Sequence, residues 1–281
     1  MPSKLTRENC EAIFREFAKD FRKHNKSLPD TEIVIVGGGS ILLNYTFREI
    51  TSDFDAISTA QTAVRESAIR VAEKYNLPDD WINDDFAKTV SYSDRLREVS
   101  KHFRTYNNGS LEIRTVNAEY LIAMKLMSHR EYKHDLSDIV GILHDEQAHG
   151  NRITADKVFS AVDYLYGDSC KLRDDLAEDV RAWCGMDRHA LEEEYRRMND
   201  VEYATRTEVI RISAENESMH RKKTIDEIIK EAEQKAKQST KDKTTIPPKP
   251  SLDELIKEAE KKAAKKAGKT SWDNDIGSRE R

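Results

Sequence analysis

Cysteine is scarce in this chain of 281 residues. The three cysteines, Cys10, Cys170 and Cys184, are odd in number and show no Cys-x-x-Cys spacing, so the sequence indicates neither a disulfide framework nor a zinc site. Long apolar runs are also lacking, since none approaches the ~20 residues of a membrane-spanning helix. The N-terminal residues MPSKLTRENC lack the hydrophobic stretch of a signal peptide. We therefore expect a cytoplasmic protein.

Charged residues are abundant instead. They make up 35% of the chain, and the mean hydropathy is −0.78. The length allows one or two domains, but a sequence this polar does not fold as one compact body throughout. We therefore expect part of the chain to be extended.

The most informative stretch is 33–58, IVIVGGGSILLNYTFREITSDFDAIS. Its first four apolar residues predict a buried strand, and three glycines end that strand where the backbone must turn tightly or approach a ligand. Ser40 then opens a short predicted helix. The N-terminal amides of that helix, after Gly38 and Gly39, and the Ser40 hydroxyl are placed to meet phosphate oxygens. The glycine turn therefore predicts an anion site.

Two carboxylates follow in the next predicted strand, where Asp53 and Asp55 flank Phe54. Because strand side chains alternate, both carboxylates project to one face while Phe54 enters the core. Two neighbouring carboxylates repel unless a cation or a proton lies between them, and hard oxygen ligands suit Mg²⁺ that carries nucleotide phosphates. The pattern therefore predicts a divalent-metal site at Asp53 and Asp55.

These residues together resemble a known signature. The motif of the polymerase-beta-like nucleotidyltransferase superfamily is similar to Gly38-Gly39-Ser40 followed by Arg48-x-x-Thr51-x-Asp53-x-Asp55. Two later stretches resemble a bacterial branch of uncharacterised minimal nucleotidyltransferases, which is related to the AbiEii-type toxins. These stretches are Leu77-Pro78-Asp79-Asp80-Trp81-Ile82-Asn83 and Tyr120-Leu121-x-x-Met124-Lys125-Leu126-x-x-x-Arg130-x-x-Lys133-x-Asp135-x-x-Asp138. The resemblance extends over about Thr6 to Gly150.

The resemblance implies an α+β fold, in which a small mixed sheet is flanked by helices. It also implies a reaction, dependent on Mg²⁺ or Mn²⁺, that moves a nucleoside monophosphate from an NTP to an acceptor hydroxyl. Asp53 and Asp55 would hold the metal, while Gly38, Gly39 and Ser40 would cradle the phosphates. The toxin branch favours an acceptor on RNA or tRNA over one on a protein, in a toxin–antitoxin or phage-defence system.

A third carboxylate is offered by a predicted hairpin, formed by residues 102–106 and 110–114 around Asn107-Asn108-Gly109. Glu112 lies on its second strand. If that strand neighbours the strand of Asp53 and Asp55, Glu112 supplies the base toward the acceptor hydroxyl that members of the superfamily often use. The alternative is a solvent-facing glutamate on an alternating strand.

Lys125 is an anomaly within an apolar predicted helix. A buried lysine is costly unless it is paired, so it either reaches the surface or faces fixed negative charge such as a triphosphate, which the resemblance favours. Arg130 and Lys133 would extend this cationic wall toward the nucleotide. Asp135 would orient Lys125 or serve as the base. The alternative is an ordinary exposed charge network at a helix junction.

The chain is predicted to have three parts: a nucleotidyltransferase-like catalytic domain at 1–150, a helical extension at 151–220 and a flexible charged tail at 221–281. Residues 224–236 return as 251–263 with conservative changes. Each copy begins with a capping box and predicts a short amphipathic helix, and a proline-rich linker at 244–250 separates them. Neither helix is long enough to fold alone, so they order on a surface or a partner, or remain solvated.

A cognate antitoxin or another partner protein is expected to bind through residues 188–267. Residues 221–269 carry 15 Lys and Arg against 9 Asp and Glu, so the tail also suits a polyanion such as RNA. The rival hypothesis is a non-catalytic protein of the same fold that recruits a partner through its C-terminal helices. The intact carboxylate pair favours the enzyme, whereas the unplaced third carboxylate favours the rival.

Overall fold

The structure, a computed structural model, describes residues 4–128, 130, 133–167, 172–218, 227, 229–230 and 232–235. It is a mixed α+β fold with a small sheet and flanking helices, which confirms the predicted fold class. The strands are β1 Leu5–Thr6, β2 Thr31–Ile35, β3 Ile50–Thr51, β4 Phe54–Ser58, β5 Ile82–Asn83, β6 Ser100–Tyr106 and β7 Leu111–Val116. The α-helices are α1 Arg7–His24, α2 Gly37–Asn44, α3 Gln61–Tyr75, α4 Ala118–Ser128, α5 Asp135–Ala148, α6 Ala155–Tyr166, α7 Asp174–Gly185 and α8 Arg188–Ser218.

A five-stranded sheet organises the fold, with the strand order β5-β4-β2-β7-β6. β2 pairs in parallel with β7 and antiparallel with β4. β4 and β5 are parallel, whereas β6 and β7 form an antiparallel hairpin. The middle strand β2 is covered on both faces, and its residues Ile33, Val34 and Ile35 are fully buried, as its continuous apolar run predicted. A separate two-stranded pair joins β1 to β3.

Helices cover the two faces of the sheet through two hydrophobic clusters. The first cluster packs α1 and α3 on the sheet through Phe14, Phe17, Ile33, Phe54, Ala68, Val71, Trp81 and Ile113. The second packs α4, α5 and α6 on it through Val34, Val36, Val116, Leu121, Ile122, Ile139, Ile142 and Val158. α2 contributes Ile41 to the second cluster and Leu42 to the first, so both clusters hold this short helix in place.

Local signals in the sequence set several element boundaries. Thr6 Oγ1 accepts a hydrogen bond from the Asn9 N–H, and the Asn9 side chain accepts one from the Thr6 N–H, so a capping box begins α1. The predicted hairpin is confirmed. Its turn places Asn107 and Asn108 at φ values of 52° and 55°, which asparagine tolerates better than most residues.

The described chain divides into two compact units, one up to Tyr203 and one from Ala204. In the first unit, α6, α7 and the beginning of α8 pack into the same cluster as α4 and α5, through Val158, Leu176, Trp183, Leu191 and Met198. The hydrophobic core therefore continues across residue 150. The three-part division predicted from the sequence stays a prediction.

In the second unit, Ala232 is fully buried against Val209 and Ile212. The described residues between 227 and 235 are helical and belong to the first copy of the repeat, 224–236. The second copy, 251–263, and the proline-rich linker lie outside the described residues. Within the described part of the chain, the helices are too short or too polar to cross a membrane.

Candidate active site

Asp53 and Asp55 lie at the beginning of β4. Asp53 comes directly before the strand and Asp55 is its second residue; both are partly buried, whereas Phe54 between them is fully buried. Phe54 packs against Phe14 and Trp81, with ring centroids 5.0 and 6.2 Å away. This packing fixes the alternation of the strand, so the two carboxylates project away from the aromatic cluster on the same side.

Asp53 and Asp55 repel each other. Burial, and after it the Asp53 carboxylate, raise the pKa of Asp55, Arg130, Lys133 and Lys125 lower it, and the net result is a pKa of about 6. A cation between the two carboxylates would relieve this unfavourable charge.

The glycine turn meets this pair at the N-terminus of α2. The helix begins at Gly37, one turn earlier than Ser40, where the sequence predicted it to open. Gly37 has φ +55°, and a Cβ built on it would lie 3.4 Å from Asp55 Oδ2. The first N–H groups of a helix have no intrahelical acceptor, so those of α2 are available to an anion beside Asp55.

Ser40 and Gly39 have structural tasks in this turn. Ser40 is fully buried, and its Oγ accepts a hydrogen bond from the Val116 N–H at 3.3 Å. A Cβ on Gly39 would lie 2.3 Å from the Phe54 ring, so only glycine permits this close packing. The prediction that the Ser40 hydroxyl meets phosphate is therefore corrected, because the hydroxyl faces the interior. The backbone N–H groups at the beginning of α2 remain the candidates for that contact.

Lys125 is buried and doubly paired. Its Nζ lies 2.8 Å from Asp135 Oδ1 and 2.7 Å from Asp138 Oδ2. Burial alone would lower the pKa of Lys125, but Asp138 and Asp135 raise it above the ordinary value. The fixed negative charge that the sequence required for this lysine is therefore supplied by two aspartates of α5, so Lys125 neither reaches the surface nor presents a free ammonium to a nucleotide.

Asp135 orients cations, which is one of the two roles predicted for it. Its carboxylate accepts hydrogen bonds from Lys125 Nζ, from the Arg130 N–H at 3.0 Å and from Arg130 Nε at 3.1 Å. Burial would raise its pKa, but Lys125 and Arg130 lower it to about 2. A fully buried carboxylate with so low a pKa is a poor acceptor for a proton, so the structure does not support the predicted role as a base.

Arg130 and Lys133 interact electrostatically with the carboxylate pair. Both cations lower the pKa of Asp55, and Asp53 in turn raises the pKa of Lys133. Desolvation and the neighbouring Arg130 nevertheless leave the pKa of Lys133 below its ordinary value. These two side chains act on the charge of Asp55, whereas Lys125 is paired with Asp135 and Asp138, and the cationic wall toward a nucleotide stays a prediction.

Glu112 does not belong to this group. β2 lies between β7 and β4, and Glu112 pairs with Glu32, whereas the Val36 N–H bonds to the carbonyl of Asp55. Along β2, the positions beside Glu112 and beside Asp55 are therefore four residues apart, or about 13 Å. Arg114 Nη1 donates to Glu112 at 2.7 Å, and His102 contacts it at 3.2 Å. The prediction of Glu112 as base is corrected, because the strand order and the register place it far from the pair.

Comparison with known proteins gives one match. Residues 11–151 match a family described as nucleotidyltransferase of unknown function (DUF6036). The chain belongs to this family. The match contains every residue of the site described so far. No curated protein matches the chain, and no solved structure does. The finer relation to the AbiEii-type toxins and to the polymerase-beta-like superfamily stays a prediction.

A further residue contacts this site from outside the matched range. Glu202 of α8 is buried, and its carboxylate accepts hydrogen bonds from the N–H groups of Leu136 at 2.8 Å and Ser137 at 3.3 Å. It thereby caps the N-terminus of α5, two residues from Asp135. Burial raises its pKa to about 8. No local pattern reveals this contact, because 66 residues separate Glu202 from Leu136.

Asp138 was not predicted as a site residue, although its i, i+3 spacing from Asp135 places both on one helix face. It binds Lys125 and accepts from Arg48 Nη1 at 2.5 Å. Thr51 Oγ1 donates to the Asp53 carbonyl at 3.1 Å and so holds the backbone directly before β4. In the described part of the chain, no cluster of three or more His, Cys, Asp or Glu side chains could hold a metal ion.

Proposed function

We propose that the protein transfers a nucleoside monophosphate from an NTP to an acceptor hydroxyl. One observation carries the proposal: the partly buried pair Asp53 and Asp55 lies beside the N-terminus of α2, and Arg130 and Lys133 interact electrostatically with it. This arrangement offers oxygen ligands for a metal, amides for phosphate and cations for developing negative charge, the three requirements of phosphoryl-transfer chemistry.

Mg²⁺, or Mn²⁺, fits the two carboxylates. Their oxygens are hard ligands, and burial together with mutual repulsion raises the pKa of Asp55, which a bound cation would reverse. When bound, the ion supplies charge neutralisation on the triphosphate. Because the described chain offers only two carboxylates here, the remaining ligands would come from the nucleotide and from water.

The protein groups have separable tasks in this proposal. The N–H groups of Gly37 and Gly38 bind phosphate oxygens, and Arg130 and Lys133 offset charge that develops on the leaving pyrophosphate. Asp135 holds Arg130 in place, and Lys125 in turn binds Asp135 and Asp138. With Glu112 distant and Asp135 buried, the acceptor proton passes to a carboxylate of the pair or to solvent.

The acceptor that we propose is RNA, in particular tRNA, with a protein hydroxyl as the second class. The basic tail supports this choice, because 15 Lys and Arg against 9 Asp and Glu in residues 221–269 suit a polyanion. The resemblance to AbiEii-type toxins supports a cytoplasmic toxin–antitoxin or phage-defence role. An antitoxin or another partner would bind through residues 188–267.

Incubation with each alpha-labelled NTP, Mg²⁺ and bacterial RNA plus protein extract tests the proposal. We expect label in an RNA or protein band for the wild type and none for Asp53→Asn/Asp55→Asn. The matched control is Asp30→Asn/Asp163→Asn, which removes the same charge from two exposed positions and should retain transfer. Absence of label with every NTP and with either metal would refute the proposal and favour the non-catalytic binding protein.

A further inference from the structure

Arg48 presents one nitrogen of its guanidinium group to the glycine turn. Nη1 donates to Asp138 Oδ2 at 2.5 Å, and Nε lies 3.4 Å from the Ile50 carbonyl oxygen. Nη2 lies 3.1 Å from the point where a Cβ on Gly38 would stand, and among the described residues it has no hydrogen-bond acceptor. The side chain is 21% exposed, so a ligand at the turn can reach it.

Gly38 is the residue that permits this approach. A side chain there would meet Nη2 at 3.1 Å, the guanidinium carbon at 3.3 Å and Thr51 Oγ1 at 3.3 Å. Unlike Gly39, which is needed for packing against Phe54, Gly38 is needed for contact with a polar, partly exposed group. The guanidinium and the first amides of α2 therefore border the same space.

Arg48 belongs to a cluster of charged side chains that is only partly buried. Lys125, Arg130 and Arg48 contact the two buried carboxylates of Asp135 and Asp138. Lys125 is buried, whereas Arg48 and Arg130 have exposed surface. A partly desolvated guanidinium gains from a hydrogen bond to an anionic ligand.

We propose that Arg48 is a phosphate-binding residue of the site, and that Asp138 is its positioning residue. Nη2 would donate to a phosphate oxygen of the NTP that also accepts from the amides of Gly37 and Gly38. Guanidinium geometry suits this task, because two of its nitrogens are fixed by protein acceptors while the third keeps a defined direction. The inference rests on the proposed function, since it assigns the triphosphate of the same substrate.

Binding of inorganic triphosphate in the presence of Mg²⁺, measured by calorimetry, tests the inference without turnover. We expect Arg48→Gln to bind about tenfold more weakly or worse, about 1.4 kcal/mol in binding free energy. Arg48→Lys should recover only part of the affinity, and Asp138→Asn should weaken it because the guanidinium loses its anchor. The matched control is Arg15→Gln, at an exposed arginine paired with Glu11, which should bind as the wild type does.

A purely structural Arg48 would give a different result. The variants would then melt at a lower temperature, yet their folded fraction would bind triphosphate within about twofold of the wild type, and this outcome overturns the inference. A wild type that binds no triphosphate overturns it as well. If the wild type binds triphosphate through Arg48 but transfers no label, the proposed function fails while the assignment of Arg48 stands.

Discussion

Replacement of Asp55 by Asn should stabilise the metal-free protein at neutral pH while it abolishes transfer. Burial and the Asp53 carboxylate raise the pKa of Asp55 from 3.8 to about 6. Each pKa unit corresponds to about 1.4 kcal/mol, so the ionised carboxylate lowers the free energy of unfolding by at most about 3 kcal/mol near pH 7. Because Asp55 is only partly buried and water screens its charge, we expect a gain of about 1 to 2 kcal/mol for Asp55→Asn.

The gain should depend on pH in a defined direction. Since the folded-state pKa lies above the unfolded value, the Asp55 carboxyl favours the fold when protonated, and this contribution is lost as the pH rises through about 6. Asn does not ionise. The advantage of the variant should therefore be about half of its full value at about pH 5 and near its full value at about pH 7.5, as measured by urea unfolding in EDTA.

Added Mg²⁺ should reverse the order of stability. An ion that binds only the folded wild type adds about 2.7 kcal/mol at one hundred times its Kd. The control Asp30→Asn, at an exposed site, should be as stable as the wild type both in EDTA and with Mg²⁺. The reasoning is refuted if Asp55→Asn unfolds more easily than the wild type in EDTA near pH 7.5, or if its advantage is the same at both pH values.

Four further predictions concern residues around the site. Glu202→Gln should flatten the decline in stability between about pH 4.5 and pH 8, because raising the pKa of the glutamate from 4.5 to about 8 on folding makes its contribution fall across that range; unfolding midpoints across the range measure this. Lys125→Met should cost about 3 to 5 kcal/mol in urea unfolding, because it leaves two buried carboxylates without their shared cation. Gly39→Ala should cost about 1 to 3 kcal/mol, because its Cβ would collide with the Phe54 ring, and calorimetric melting measures the loss. Glu112→Gln should leave the rate of nucleotide transfer unchanged in the labelling assay, and a large loss would contradict its placement.

The carboxylate pair and the glycine turn were predictable because their geometry is local. Alternation along one short strand fixes how Asp53 and Asp55 relate to Phe54, whatever the rest of the chain does. The error at Ser40 arose one turn away: Gly37 adopts φ +55° and begins the helix itself, so Ser40 moves from the first turn into the interior. A shift of a few residues in a helix start changes which side chain faces solvent.

The long-range parts of the site were not predictable in the same way. The need of Lys125 for negative charge followed from its apolar neighbours, but the choice between a ligand and α5 depended on how two helices pack. The position of Glu112 depended on the sheet order, which inserts β2 between β7 and β4. Glu202 lies on a helix far along the chain, and nothing near it in sequence signals its partner at the beginning of α5.

Because Glu202 caps α5 from outside the matched span, it affects which fragment of a family member should be expressed for experiments. The matched span, 11–151, contains the site residues but ends before the helices whose side chains complete its hydrophobic cluster, among them Val158, Trp183 and Leu191. A fragment with those limits would leave apolar faces of α4 and α5 open to water and invite aggregation. The segment that the family match recognises is thus shorter than the segment needed for a soluble, folded protein.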